Sequence, residues 1–174
     1  EYRETDFDAV LECFSASVRG IGPRHYTQEQ IAVWAPESPD REAWDARLRA
    51  GRTLVADVDG VVAGFVRVEE RGYVDLLYVD PQFERRGLGR RLLHEACSWA
   101  VSRGAEKLES DVSIAARPLF EASGFEVERE QRVQRRGVWL TNYRMSRDPT
   151  AQVVHSRESG NPSKQPDGPP PARG

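Results

Sequence analysis

One stretch constrains the fold more than any other. It runs Leu77-Tyr78-Val79-Asp80-Pro81-Gln82-Phe83-Glu84-Arg85-Arg86-Gly87-Leu88-Gly89-Arg90-Arg91-Leu92-Leu93. The run from Tyr73 to Val79 is apolar enough to be a buried strand. From Leu92 the apolar positions Leu93, Ala96, Trp99 and Ala100 recur at helical spacing until Gly104. The loop glycines fall where a helix begins, so several amide N–H groups lack an intrahelical partner and the helix dipole adds partial positive charge. Such a place suits a pyrophosphate, and Arg85, Arg86, Arg90 and Arg91 surround it with matching charge. A dinucleotide fingerprint needs a third glycine where Leu92 stands, and a Walker loop needs Gly-Lys-Ser/Thr where Arg90-Arg91 stand, so neither applies.

The remaining elements follow from period and punctuation. Thr5-Asp6-Phe7-Asp8 opens a helix carrying Val10, Leu11, Phe14 and Val18, and Gly20-Ile21-Gly22-Pro23 stops it. Thr27-Gln28-Glu29-Gln30 has capping-box form and opens a second helix, with Ile31 and Trp34. Ser38-Pro39-Asp40 opens a third, with Trp44 and Leu48. Thr53 to Ala56 and Val61 to Val68 read as strands joined through Asp59-Gly60. Lys107 to Val112 is a further strand, Ala115 to Ser123 a short helix, and two last strands flank Arg136-Gly137. The order predicts an α+β, or mixed α/β, domain over residues 1–148 with helices packed on the sheet. From residue 149 the composition shifts: six of the eleven prolines fall in the last 26 residues, with hardly any large apolar group. Such a tail cannot bury enough surface to offset its ordering entropy, and residues 149–174 are expected to be disordered.

Composition narrows the function classes. Charged residues make up 30% but the net charge is only −3, so no basic excess points to nucleic acid. No apolar run reaches membrane-spanning length, and no basic region followed by an apolar core opens the chain, so no membrane partner and a cytoplasmic location are expected. Cys13 and Cys97 form no CxxC and read as buried thiols; His25, His94 and His155 have no metal-ligand spacing, so no metal is expected.

The glycine-loop segment resembles the cofactor signature of GNAT acetyltransferases: an apolar strand ending in Val-x-Pro, then Gln/Arg-x-x-Gly-x-Gly/Ala, then an amphipathic helix. Downstream, Ser113 to Phe125 (Ser-Ile-Ala-Ala-Arg-Pro-Leu-Phe-Glu-Ala-Ser-Gly-Phe) resembles the second signature of that family. The resemblance covers residues 2–146. It implies a central mixed, largely antiparallel sheet of six to seven strands with helices on both faces. It also implies acetyl-CoA as co-substrate and N-acetyl transfer to an amine of a small molecule or peptide in a ternary complex, with a homodimer left open. By the same resemblance, the backbone of Leu77 and Val79, flanking Tyr78, pairs with the pantetheine arm. The amides of Arg85, Arg86, Gly87, Leu88, Gly89 and Arg90 hold the pyrophosphate. Three positions depart from the pattern. Glu84 replaces Gln/Arg, Ser113 replaces an Asn that contacts the cofactor, and Phe120 replaces a Tyr that protonates the leaving thiolate.

The catalytic groups are therefore sought elsewhere. Strand alternation puts Asp75 on the face of Tyr73, Leu77 and Val79, near the thioester, where partial desolvation would raise its pKa and suit base work. A surface salt bridge is the competing structural reading. Asp111 and Glu109 share a face of the next strand as further base candidates. Tyr143 and Tyr26 replace the missing acid if the fold brings them to the sulfur; otherwise each is a packed aromatic. The alternative function is a catalytically weak CoA-binding regulatory or interaction module, which Phe120 favours. A nucleotide-phosphate hydrolase lacks a metal or base constellation and ranks last.

Overall fold

The computed structural model describes residues 1–150. The tail expected at 149–174 therefore lies almost entirely outside the described residues. Helix α1 (Phe7–Ile21) ends within the expected stop at Gly20 to Pro23 and runs into a 3-10 turn, Gly22–Arg24. Helix α2 (Gln28–Trp34) is capped as its sequence predicts: Thr27 Oγ1 accepts from the Gln30 amide, and Gln30 reaches back to the Thr27 amide. Helix α3 (Arg41–Arg49) begins where the Asp40 carboxylate accepts the Ala43 amide.

Six strands follow, β1 (Arg52–Val58), β2 (Val61–Val68), β3 (Tyr73–Val79), β4 (Leu108–Ser113), β5 (Glu126–Arg135) and β6 (Val138–Arg147). They form one sheet in the order β1-β2-β3-β4-β6-β5, antiparallel except for the β3–β4 pair. A parallel neighbour requires a crossover, and α4 (Leu88–Ser102) provides it between β3 and β4. Helix α5 (Arg117–Ala122) links β4 to β5. The β5–β6 turn has Arg136 at φ 49° and Gly137 at φ 85°, the left-handed pair that a tight hairpin needs, and it presents Arg135 at the strand end.

Each sheet face carries its own core. Val66, Val68 and Val74 pack with Leu92, Leu93, Ala96 and Ala100 of α4 and with Phe120, Phe125 and Met145. On the other face Phe65, Leu76 and Leu140 pack with Val10, Phe14 and Val18 of α1, Ile31 of α2 and Leu48 of α3. The expected six-to-seven-stranded mixed sheet with helices on both faces is thus a sheet of six. Cys13 and Cys97 are buried free thiols, and burial pushes their pKa values up to about 12 and about 11.

Two features of β3 shape everything built on it. Its parallel register with β4 holds only at Tyr73↔Glu109 and Val74↔Ser110, whereas β4 stays paired with β6 as far as Ser113↔Asn142. Beyond Val74 the sheet forks. The antiparallel register with β2 steps from Arg67↔Leu76 to Val68↔Val74, leaving Asp75 unopposed. This is a β-bulge, which bends the strand and resets which face its side chains take.

Candidate active site

Into the fork opens a groove of about 440 Å³ lined by Leu77, Tyr78, Val79, the loop from Phe83 to Arg90 except Arg86, Ser113, Ala116, Pro118 and Leu119. The Asp80 amide bonds to Ala63 of β2, so by alternation Tyr78 also turns its backbone toward β2. Leu77 and Val79 turn their N–H and C=O to the side from which β4 has departed. An edge of unpaired backbone is a template for an extended ligand arm.

At the end of β3 the chain passes through a 3-10 turn, Pro81–Phe83, and reaches Gly87 at φ 77°, a conformation that favours glycine. Among the described residues no backbone acceptor takes the amides of residues 85 to 90, while Arg91 bonds back to Gly87. Consecutive free amides at a helix start form an anion cradle. Gly87 and Gly89 have different jobs. A side chain at Gly87 would meet open space, whereas a Cβ at Gly89 would lie 3.0 Å from Leu119 Cδ2, so Gly89 permits close packing of α4 on α5. Glu84 is bound by both nitrogens of Arg24, at 2.9 and 3.1 Å, which ties the loop to the end of α1. Arg86 stacks on Phe83, and Arg90 reaches the Ala122 carbonyl at 3.3 Å.

A second cavity, of about 640 Å³, lies on the α1–α3 face, walled by Phe14, Trp34, Trp44, Tyr73 and Tyr78. Trp34, Tyr78 and Ser113 line both spaces, so groove and cavity meet through the fork. At this junction Trp34 Nε1 donates to the Tyr78 hydroxyl at 3.3 Å. No acceptor for the phenolic proton is found among the described residues. Burial raises the Tyr78 pKa more than the Trp34 bond and the Arg135 and Arg47 charges lower it, so the phenol stays protonated at neutral pH.

The structure redistributes the residues singled out from sequence. Asp75 does not share a face with Leu77 and Val79: the bulge turns it, with Leu76 and Tyr78, into the second cavity. Its pKa is not raised either. Burial pushes it up, but the Arg47 fork (2.7 and 2.6 Å) and Arg67 (2.6 Å) outweigh that and hold it below the usual carboxylate value. A carboxylate so paired is a weak base. Asp111 also faces this cavity, engaged by Tyr73 (3.0 Å), Gln131 (2.6 Å) and Arg144 (3.2 Å). Glu109 pairs with Lys107 at 3.1 Å. Tyr143 packs against the α4-side core with Arg117 4.6 Å above its ring, and it lines neither space. Tyr26 faces the second cavity, but its hydroxyl donates to the Thr141 carbonyl and accepts the Ile114 amide, both at 2.9 Å. Phe120 is 2% exposed, edge-on to Phe125 at 5.0 Å, and lies in the core; Pro118 and Leu119 form the groove wall instead. Ser113 Oγ accepts the Ala116 amide at 3.2 Å, bracing the turn into α5.

Sequence reading missed Arg47 and Arg67 because their role depends on a bulge that no local pattern marks. The Tyr78 side chain was findable: its parity on β3 is opposite to that of Leu77 and Val79, so it must point to the other face.

The comparisons with known proteins agree with this geometry. Residues 23–147 match the acetyltransferase (GNAT) domain family. An uncharacterized N-acetyltransferase YafP of Escherichia coli K12 is 34% identical over 149 residues, covering 85% of this chain and 93% of that protein. The crystal structure of a GCN5-related N-acetyltransferase from Rhodopseudomonas palustris superposes with TM-score 0.82 at 31% identity, over 84% of this chain and 92% of the other. PaiA N-acetyltransferase from Thermoplasma acidophilum, solved with coenzyme A, shares the fold at TM-score 0.66 and 19% identity, over 83% and 93% of the two chains. The fork in the sheet, the free-amide loop and these likenesses together identify the chain as an N-acetyltransferase of the GNAT family.

Proposed function

We propose that the protein transfers the acetyl group of acetyl-CoA to an amine by direct attack in a ternary complex. The observation that carries this reading is the meeting of groove and cavity at Trp34, Tyr78 and Ser113, because direct transfer needs both substrates to reach one point from separate sides. The residues present fit the co-substrate. The free amides of 85 to 90 suit its pyrophosphate, the open backbone of Leu77 and Val79 suits the amide-bearing arm, and the apolar walls suit the methylenes. Solved structures of one fold neighbour with coenzyme A, and of a Salmonella typhimurium protein with acetyl-CoA, support the choice.

In this reading the Leu77 amide polarises the thioester carbonyl. The neutral amine attacks the carbonyl carbon, the C–S bond breaks, and the Tyr78 hydroxyl gives its proton to the leaving sulfur. The attacking nitrogen releases its own proton to water, from which the Tyr78 phenolate regains one, since the aspartates of the cavity are ion-paired or hydrogen-bonded. The test combines calorimetry of acetyl-CoA with thiol release over a panel of amines. We expect binding, and release that depends on the amine. Failure to bind acetyl-CoA would overturn the reading. Binding without release for every amine would favour a CoA-binding module, the alternative that the ion-paired Asp75 and the buried Phe120 support.

A further inference from the structure

The charge around the second cavity is not what its lining suggests. Arg47, Arg135 and Arg136 face Asp40, Asp75 and Asp111 there, an apparent balance. Two of those aspartates are already matched from behind. Arg67, which does not line the cavity, binds Asp75 at 2.6 Å, and Arg144, also outside the lining, binds Asp111 at 3.2 Å. The third, Asp40, uses an oxygen to cap α3. The arginines, by contrast, retain donors. Arg47 commits Nε and Nη2 to Asp75, and Nη1 makes no hydrogen bond among the described residues. Arg135 and Arg136 form no ion pair among the described residues. The cavity therefore carries surplus positive charge over aromatic walls.

Two of these guanidinium groups converge. Arg47 comes from α3 and Arg135 from the end of β5, yet both line the cavity that Tyr78 walls at the junction. Between them they offer positive charge on the walls of the cavity that ends at the junction. A guanidinium fork matches a carboxylate in shape as well as charge.

We propose that the acceptor is an amine that also carries a carboxylate, held by Arg47 and Arg135 while the aromatic walls take its apolar part. Arg67 is then a positioning residue: by holding Asp75 it lets Asp75 aim Arg47 into the cavity. The inference rests on the acetyl-transfer reading, and it deepens that reading by naming the acceptor class.

The test uses the full chain and matched acceptor pairs, among them phenylalanine against phenylalaninamide and tyrosine against tyrosinamide. The expected result is that kcat/KM, expressed per neutral amine because amidation lowers the amine pKa, favours the free acid at least about 10-fold, the scale of one charge-assisted bond. Arg135→Gln, at an exposed position whose side chain has no partner among the described residues, should bring the ratio close to one at unchanged Tm and acetyl-CoA affinity. Arg47→Lys should lower the same ratio while still facing Asp75 with a charge. Parity or preference for the amide in the wild type, or a preference that survives both substitutions, would overturn the inference. Tryptophan fluorescence separates this from failure of acetyl transfer. If no amine reacts, quenching of Trp34 and Trp44 by the acid but not the amide, abolished in Arg135→Gln, sustains the carboxylate site alone.

Discussion

Arg67 and Asp75 are joined inside the sheet: Arg67 Nη1 donates to Asp75 Oδ2 at 2.6 Å, with side chains only 6% and 11% exposed. Among the described residues the Arg67 Nε has no partner, so this guanidinium depends on Asp75 and on a longer contact to Glu69 at 3.3 Å. Asp75→Asn removes the charge that compensates two arginines. The expected cost is about 3 kcal/mol, the scale of breaking a buried pair, read from urea denaturation. A general-base role would instead leave stability intact and lower kcat alone.

The same pair gives a signed pH dependence. The folded pKa of Asp75 lies below its ordinary value of 3.8, so its contribution is fully present above that value and is lost as pH falls through the folded pKa. Wild-type stability should decline below about pH 4, and Asp75→Asn should flatten that part of the decline. Parallel curves for the two proteins would show that Asp75 is not stabilised in this way.

Gly87 sits at φ 77°, where an L side chain is strained although the space is open. Gly87→Val should cost about 1–2 kcal/mol of stability and turn the loop amides away, so acetyl-CoA affinity falls at least about 10-fold in calorimetry. Gly89→Val should act through packing instead, since its Cβ meets Leu119. Its larger effect is expected in Tm. Unchanged affinity in a folded Gly87→Val protein would move the pyrophosphate site elsewhere.

Tyr78→Phe removes the proton proposed for the leaving sulfur while keeping the ring between Phe14 and Phe65. A kcat lower by roughly 10²-fold or more, with acetyl-CoA affinity retained, is the expected outcome. A kcat within about threefold of wild type, well short of that general-acid scale, would exclude the phenol as acid.

Phe120→Tyr would put a hydroxyl into the core beside Phe125, not into the groove. Burying an unpartnered hydroxyl costs about 1–3 kcal/mol, so a lower Tm without a gain in kcat is expected. Activation by this substitution would mean that residue 120 reaches the sulfur after all.

The sequence by itself determined the parts governed by local rules. The Thr27 capping box, the glycine loop before α4 and the apolar stripe of Leu92, Leu93, Ala96 and Ala100 each depend on residues within one or two turns of one another. Strand parity on β3 likewise put the Tyr78 side chain on the face opposite to Leu77 and Val79. Only the tertiary structure decided what those strands enclose. The bulge at Asp75 reverses the face that parity predicts, and the early end of the β3–β4 pairing opens the sheet. Both are properties of register between strands, which long-range packing fixes. Arg47, Arg67 and Arg135 come from α3, β2 and β5. No spacing along the chain links such residues, because the two outcomes available to each (solvated surface charge or cavity wall) have the same local sequence.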